Sequence, residues 1–247
     1  MAARFGVELR RNTSAFGPGA PNRPLAITEL FYEDIRARGF RPEYILDVGA
    51  NRGDWTEMML GLFPEARFLL LEPQHEMAAA LDRLSGHYTN VSWIECGAGP
   101  EETELLLNIS DDLNGSSFIP AASHRRADDA DSGATRQRRV PVRRIDDVIG
   151  ERVPDVAKLD IQGFELEALR GAERLFGRTE LIVLEASLFR FMPDTPLLHE
   201  VVEFMTQRGY VLYDIADYIR RYQDGALGQL DLAFARENGQ LRASDAW

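Results

Sequence analysis

Apolar runs of strand length alternate with segments of helical periodicity along most of this 247-residue chain. Tyr44–Val48, Arg67–Leu71, Val91–Cys96, Val156–Ile161 and Leu181–Ala186 read as strands. Trp55–Phe63, Gln74–Leu84, Phe164–Phe176 and Leu197–Arg208 read as the helices that follow four of them. This order predicts an α/β fold, a mostly parallel sheet with helices on both faces. Tyr210–Ile215 and Leu230–Ala235 have no helix-length connection between them, so they are expected to form an antiparallel hairpin at the sheet edge.

The flanks are less regular. Residues 1–23 are rich in Gly and Pro and read as an irregular lead-in. Leu25–Arg38 has helical spacing and ends at Gly39. The expected organisation is an N-terminal segment plus helix over residues 1–40 and one domain over 41–247. Glu104–Ile109 and Val140–Ile145 interrupt the alternation as two extra strands. The polar stretch between them, at about 111–139, reads as an inserted mobile loop.

Composition narrows the function classes. A single cysteine, Cys96, rules out a disulfide framework within the chain. No apolar run reaches the roughly 20 residues of a membrane span, and the first residues lack a signal-peptide core. The expectation is a cytoplasmic protein with no membrane partner. A net charge of −12 argues against nucleic acid. Of the 28 cationic residues, Lys158 is the only lysine. Base composition explains that as well as a specific need for an amine at this position does.

Two stretches carry chemistry. In Asp47-Val-Gly-Ala-Asn-Arg-Gly53 a buried strand ends in a glycine turn that leads into a helix. Gly49 permits close backbone approach, Gly53 a tight helix entry, and free N–H groups there would favour an anion. The pattern is G-x-N-x-G, with Asn51 where a dinucleotide fingerprint has its second glycine. Asp47, just before the turn, suits an ammonium group and repels a phosphate. Asp54 and Trp55 continue the candidate cofactor surface. Glu72, with Pro73 after it, ends the next strand at the distance where an acid binds a ribose diol; alone it reads as a solvated strand-end carboxylate, and paired with the glycine turn it reads as the ribose contact. Cys96, Gly97 and Ala98 end the third strand and leave room for a flat base. A nucleoside joined to an amino acid, S-adenosylmethionine, fits this set.

The second stretch is Val156-Ala-Lys-Leu-Asp-Ile-Gln-Gly-Phe-Glu165. Strand alternation puts Lys158 and Asp160 on one face, near the topological switch point where open α/β sheets bind ligands. A structural ion pair is the competing reading. Asp160 is the first candidate for a general base, oriented by Lys158; a neutral Lys158 is the second. Glu185 points to the same rim as a further catalytic candidate, and with Asp160 it could hold a divalent cation. Phe189–Pro193 is either a substrate wall or core. His75 flanks the cofactor or lies on the surface.

Together ILDVGANRGDW, LLLEP, LNGSSF, VPVRRIDDVI, KLDIQGFELEALRGAE and LIVLEAS resemble the FkbM-type S-adenosylmethionine-dependent methyltransferases from about Tyr44 to Ala235. The resemblance implies a Rossmann-like class I fold with a seven-stranded sheet. It implies methylation of a hydroxyl on a sugar or other small metabolite. It carries Asp47, Gly49, Asn51 and Glu72 over as cofactor contacts. Lys158, Asp160 and Glu165 become the signature block beside the reacting centre. Asn114, Ser116 and Ser117 become a crevice-facing loop, and Gln162 and Glu165 substrate-side residues. Gln162 stands where many relatives carry Glu. Two alternatives stay open, an NAD(P)-dependent oxidoreductase and a non-catalytic binding module. A homo-oligomer built on the N-terminal helix is also open.

Overall fold

The computed structural model describes residues 17, 18, 20, 22–110, 113, 115–119 and 136–244. Five strands run parallel at its centre: β1 (Tyr44–Val48), β2 (Arg67–Leu71), β3 (Val91–Ile94), β7 (Val156–Leu159) and β8 (Leu181–Ser187). Every residue of β1 is buried, as expected of a central parallel strand covered on both faces. β9 (Tyr210–Arg220) and β10 (Leu227–Arg236) form the expected antiparallel hairpin, with β10 inserted between β8 and the edge. The sheet order is β3-β2-β1-β7-β8-β10-β9. The chain reverses direction across the sheet between β1 and β7, and a crevice opens at their carboxyl ends.

Helices α1 (Thr28–Ala37), α2 (Asp54–Leu62) and α3 (Ala78–His87) accompany the first half, and α4 (Ile145–Val148), α5 (Glu165–Arg170) and α6 (Leu198–Thr206) the second. Two apolar clusters lie on opposite faces of the sheet. Phe31, Tyr32 and Ile35 of α1 belong to one of them, together with Ile45 and Phe68. The apolar face of α1 is thus covered by its own chain and is not a ready surface for a second copy.

A small second sheet holds β4 (Gly97–Ala98), β5 (Thr103–Ile109) and β6 (Arg136–Arg143) in the order β4-β6-β5. Residues 136–139, expected in the loop, pair with β5 instead. The remainder of the expected loop lies largely outside the described residues. The helix expected over Phe164–Phe176 is two pieces, α5 and a short 3₁₀ turn at Glu173–Leu175. A Cβ at Gly171 would sit 2.1 Å from the Gly99 carbonyl oxygen, so no side chain fits where α5 ends against the segment after β4. No helix among the described residues is long and apolar enough to cross a membrane.

Candidate active site

A cleft of about 380 Å³ opens at the carboxyl ends of β1, β2, β7 and β8. The glycine turn forms one wall. Gly49 (φ +79°), Asn51 (φ +50°) and Gly53 (φ +87°) are all left-handed. The structure gives Gly49 a different purpose from the one its sequence suggests. A Cβ there would lie 2.0 Å from the Asp160 carbonyl oxygen, so the close approach is between the turn and the end of β7. A Cβ at Gly53 would meet the Leu84 side chain at 2.7 Å, so this residue packs α2 against α3 and does not line the cleft.

The turn is not an open anion cradle. The N–H groups of Gly49 and Ala50 donate to the Leu71 carbonyl, that of Gly53 to Ala50, and that of Asn51 to Glu72 Oε2 at 2.7 Å. The expectation of free N–H groups is corrected at these positions, and with it the argument for an anion, carboxylate or phosphate, held by them. Glu72 also accepts from the Gln74 N–H at 2.9 Å. It is buried, and burial pushes its carboxyl above the usual range against the pull of these two bonds. Each carboxylate oxygen keeps lone-pair capacity toward the cleft.

Pro73, Cys96, Gly97 and Ala98 line the next stretch with Leu107 and Phe118. The space beside Gly97 is filled by the Phe118 ring, which a Cβ would meet at 2.4 Å, so a flat base would lie among Ala98, Leu107 and Phe118. The buried Cys96 thiol is pushed up to about 11 by desolvation, which makes it packing rather than a nucleophile. Asp54 and Trp55 line the cleft at the start of α2.

Asp47 is the main departure on this side. It is wholly buried and does not line the cleft. Its Oδ2 accepts from Thr56 Oγ1 at 2.7 Å, while Oδ1 has no hydrogen-bond partner among the described residues and lies 3.8 Å from Lys158 Nζ. Asp47 therefore acts on the cleft through Lys158 rather than by direct contact.

Lys158 organises the opposite wall. The β1–β7 register pairs it with Asp47, and its ammonium lies 3.3 Å from Asp160 Oδ2 and over the Trp55 ring. Burial alone would lower its pKa, but Asp160, Asp47 and Asp231 outweigh that and hold it well above the ordinary lysine value. The two carboxylates within 4 Å disfavour the neutral-lysine base. Gln162 Nε2 donates to Asp160 Oδ1 at 3.0 Å and to Glu185 Oε2 at 3.2 Å. An amide donor thus sits between the two carboxylates that were candidates for a cation. Among the described residues no cluster of three His, Cys, Asp or Glu side chains completes a metal ligand set. Burial first, then Asp160, Glu165 and Asp231, push the Glu185 carboxyl well above its ordinary value.

Glu165 is buried behind this wall and does not line the cleft. Its Oε1 accepts from the Ile161 and Gly163 N–H groups at 2.9 and 3.1 Å, bracing the loop that carries Gln162 in a left-handed conformation. Its expected substrate-side role becomes a supporting one. Ser116 and Ser117 reach the cleft, with Ser116 Oγ donating to Gln74 Oε1 and Ser117 Oγ to the Gln162 carbonyl. Asn114 lies outside the described residues. His75 is on the surface, beside Glu95.

The sequence reading missed Asp231, whose carboxyl burial pushes up to about 6. It faces Glu185 across β8 and β10. A charge inside the apolar run Leu230–Ala235 was the available signal. It also missed Gln74, Phe118 and Ile219, which only tertiary packing brings to the cleft.

Similarity to known proteins agrees with this geometry. Methyltransferase 1 of Beauveria bassiana (strain ARSEF 2860) is 28% identical over 147 residues, covering 53% of this chain and 58% of the relative. Methyltransferase sdnD of Sordaria araneosa is 27% identical over 157 residues, covering 53% and 60%. The matches thus span somewhat over half the length of these relatives. The crystal structure of methyltransferase FkbM from Methylobacillus flagellatus KT superposes with a TM-score of 0.50 at 22% identity, over 77% of this chain and 43% of that one, a likeness of fold. Residues 47–212, from the buried acid of β1 to the edge hairpin, match the methyltransferase FkbM domain, and the chain belongs to that family.

Proposed function

We propose that the protein is an S-adenosylmethionine-dependent methyltransferase that methylates a hydroxyl of a small molecule. The observation that carries the reading is the pairing of two walls across one cleft. Glu72 stands at the nucleoside side, and the Lys158–Asp160–Gln162–Glu185 network faces it. The residues fit the donor. Ala98, Leu107 and Phe118 offer an apolar slot to a base, Glu72 accepts from a ribose diol, and Asn51 and Asp54 stand where a methionine end would lie. When bound, the donor supplies an electrophilic methyl on a sulfonium, ready for in-line attack by an acceptor oxygen.

The chain's own groups would hold the acceptor and manage its proton. Asp160 is the first candidate to take the hydroxyl proton, because it is the carboxylate of the network that is about one-third exposed. Lys158 fixes its orientation and Gln162 spaces it from Glu185. Orientation of the two reactants would supply much of the rate. Asn51, standing where a dinucleotide fingerprint has its second glycine, argues against the oxidoreductase alternative.

Calorimetric titration with S-adenosylhomocysteine and with NAD, followed by a methyl-transfer screen over sugars, sugar nucleotides and hydroxylated natural-product precursors, tests this. Binding of the first ligand alone, with transfer to a hydroxyl, is expected. Binding of NAD instead, or of neither, sinks it.

A further inference from the structure

The loop after β8 and the β9–β10 turn enclose a second pocket of about 590 Å³, within the usual size of a small-molecule site. Phe189 and Phe191 line it and are partly exposed, while Tyr222 stands fully exposed at its rim. Core is thereby excluded for the Phe189–Pro193 segment at its two aromatic positions. Ile219 is half exposed and lines both this pocket and the cleft, so the two cavities share a wall. Gly228 forms part of the floor. A Cβ there would come within 3.2 Å of Arg221 Cγ and 3.5 Å of the Phe191 ring, so a side chain would intrude on the pocket.

Charge gives the pocket a preference. Arg190, Arg220 and Arg221 line it, and none of its lining residues is acidic, in a chain whose net charge is −12. The Arg221 guanidinium carbon stands over the Phe189 ring, 4.1 Å from its centroid, which holds a cation beside the apolar surface. Arg190 and Arg221 are tethered by Glu200 and Asp224, at 2.9 and 3.5 Å, outside the lining. Exposed aromatics gathered in one concave place mark a binding surface. Aromatic faces with fixed cations select a flat or alkyl body carrying an acid.

We propose that this pocket binds the body of the methyl acceptor, and that the acceptor is an elongated, apolar or aromatic hydroxylated molecule bearing an anionic group. This rests on the methyltransferase reading and narrows its substrate class. The reacting hydroxyl enters the cleft beside Asp160. The body passes Ile219 and its acid meets Arg221. Gln229 of the lining pairs with Ser187, two residues past Glu185, so at about 3.3 Å per residue of extended chain the pocket begins roughly 7 Å beyond Glu185. A free monosaccharide would leave it empty.

Two dyes that share their rings test the site. 8-Anilinonaphthalene-1-sulfonate carries an acid, and N-phenyl-1-naphthylamine does not. Fluorescence titration of the full chain is expected to give saturable binding of the sulfonate at least tenfold tighter than of the neutral dye. Arg221→Gln should abolish the preference. Phe191→Ala should weaken both dyes at least fivefold, with S-adenosylhomocysteine affinity unchanged in both variants. Equal binding of the two dyes, or indifference to both substitutions, overturns the assignment while leaving the donor site intact. So does a dimer in sedimentation that Phe191→Ala dissociates, which would make the face an interface between copies. A methyl-transfer screen in which only neutral monosaccharides react overturns it as well. Failure of the native chain to bind S-adenosylhomocysteine overturns the methyltransferase reading instead.

Discussion

Substituting Glu165→Gln separates a supporting role from a substrate contact. Glu165 is fully buried, its carboxyl is raised from 4.5 to about 7, and desolvation is the main cause. Its hydrogen bonds from the Ile161 and Gly163 N–H groups pull the other way, while Asp160 and Glu185 nearby oppose its charge. An acid with a raised folded pKa is protonated more readily in the native state. The associated stability is fully present below pH 4.5 and is lost as pH rises through about 7. At about 1.4 kcal/mol per unit, the loss amounts to about 3 kcal/mol by pH 8. Glutamine keeps the carbonyl oxygen that accepts both N–H groups and carries no charge. Urea unfolding at pH 5 and pH 8 is the assay. The native protein should lose about 2.5 kcal/mol more than the variant between these values, and S-adenosylhomocysteine affinity should persist in the variant. Equal pH dependence in the two proteins would refute the burial argument. Unchanged stability with abolished transfer would return Glu165 to the substrate.

Three other substitutions probe the frame of the site. Lys158→Met strips the counter-charge from wholly buried Asp47, whose carboxyl burial already raises, and should cost about 3–5 kcal/mol at pH 8 and less as the pH falls; chemical unfolding across that range checks it, and a pH-independent loss contradicts the pairing. Gly49→Ala, at φ +79° and 2.0 Å from a backbone oxygen, should destabilise by more than about 3 kcal/mol. Gly53→Ala meets only a flexible leucine and should cost less, and similar unfolding midpoints for the two would be evidence against the close approach of β1 and β7. Glu72→Gln turns one acceptor into a donor facing a backbone N–H, so about 1–3 kcal/mol should be lost without any ligand present. A ligand-free thermal melt unchanged by this substitution would show that Glu72 serves only the ligand.

Much of the fold was legible because strand and helix periodicities are local properties of the chain. Tyr44–Val48 and Arg67–Leu71 have the predicted bounds. The end of α5 at Gly171 was not, because the close approach of Gly99 there comes from a distant segment. The same division runs through the site. Strand-end positions told that Asp47, Glu72, Lys158 and Asp160 would gather at one edge, since parallel strands in register bring their carboxyl ends together. Which way each group points, and what it already holds, depends on neighbours remote in sequence. Lys158 is kept charged by acids from β1, the end of β7 and β10. Asp47 and Glu165 are turned away from the cleft into partners of their own. The identity of the groups was written in the chain; their exposure, charge state and free valence were decided by packing, because desolvation and Coulomb terms depend on three-dimensional distance and not on spacing along the sequence.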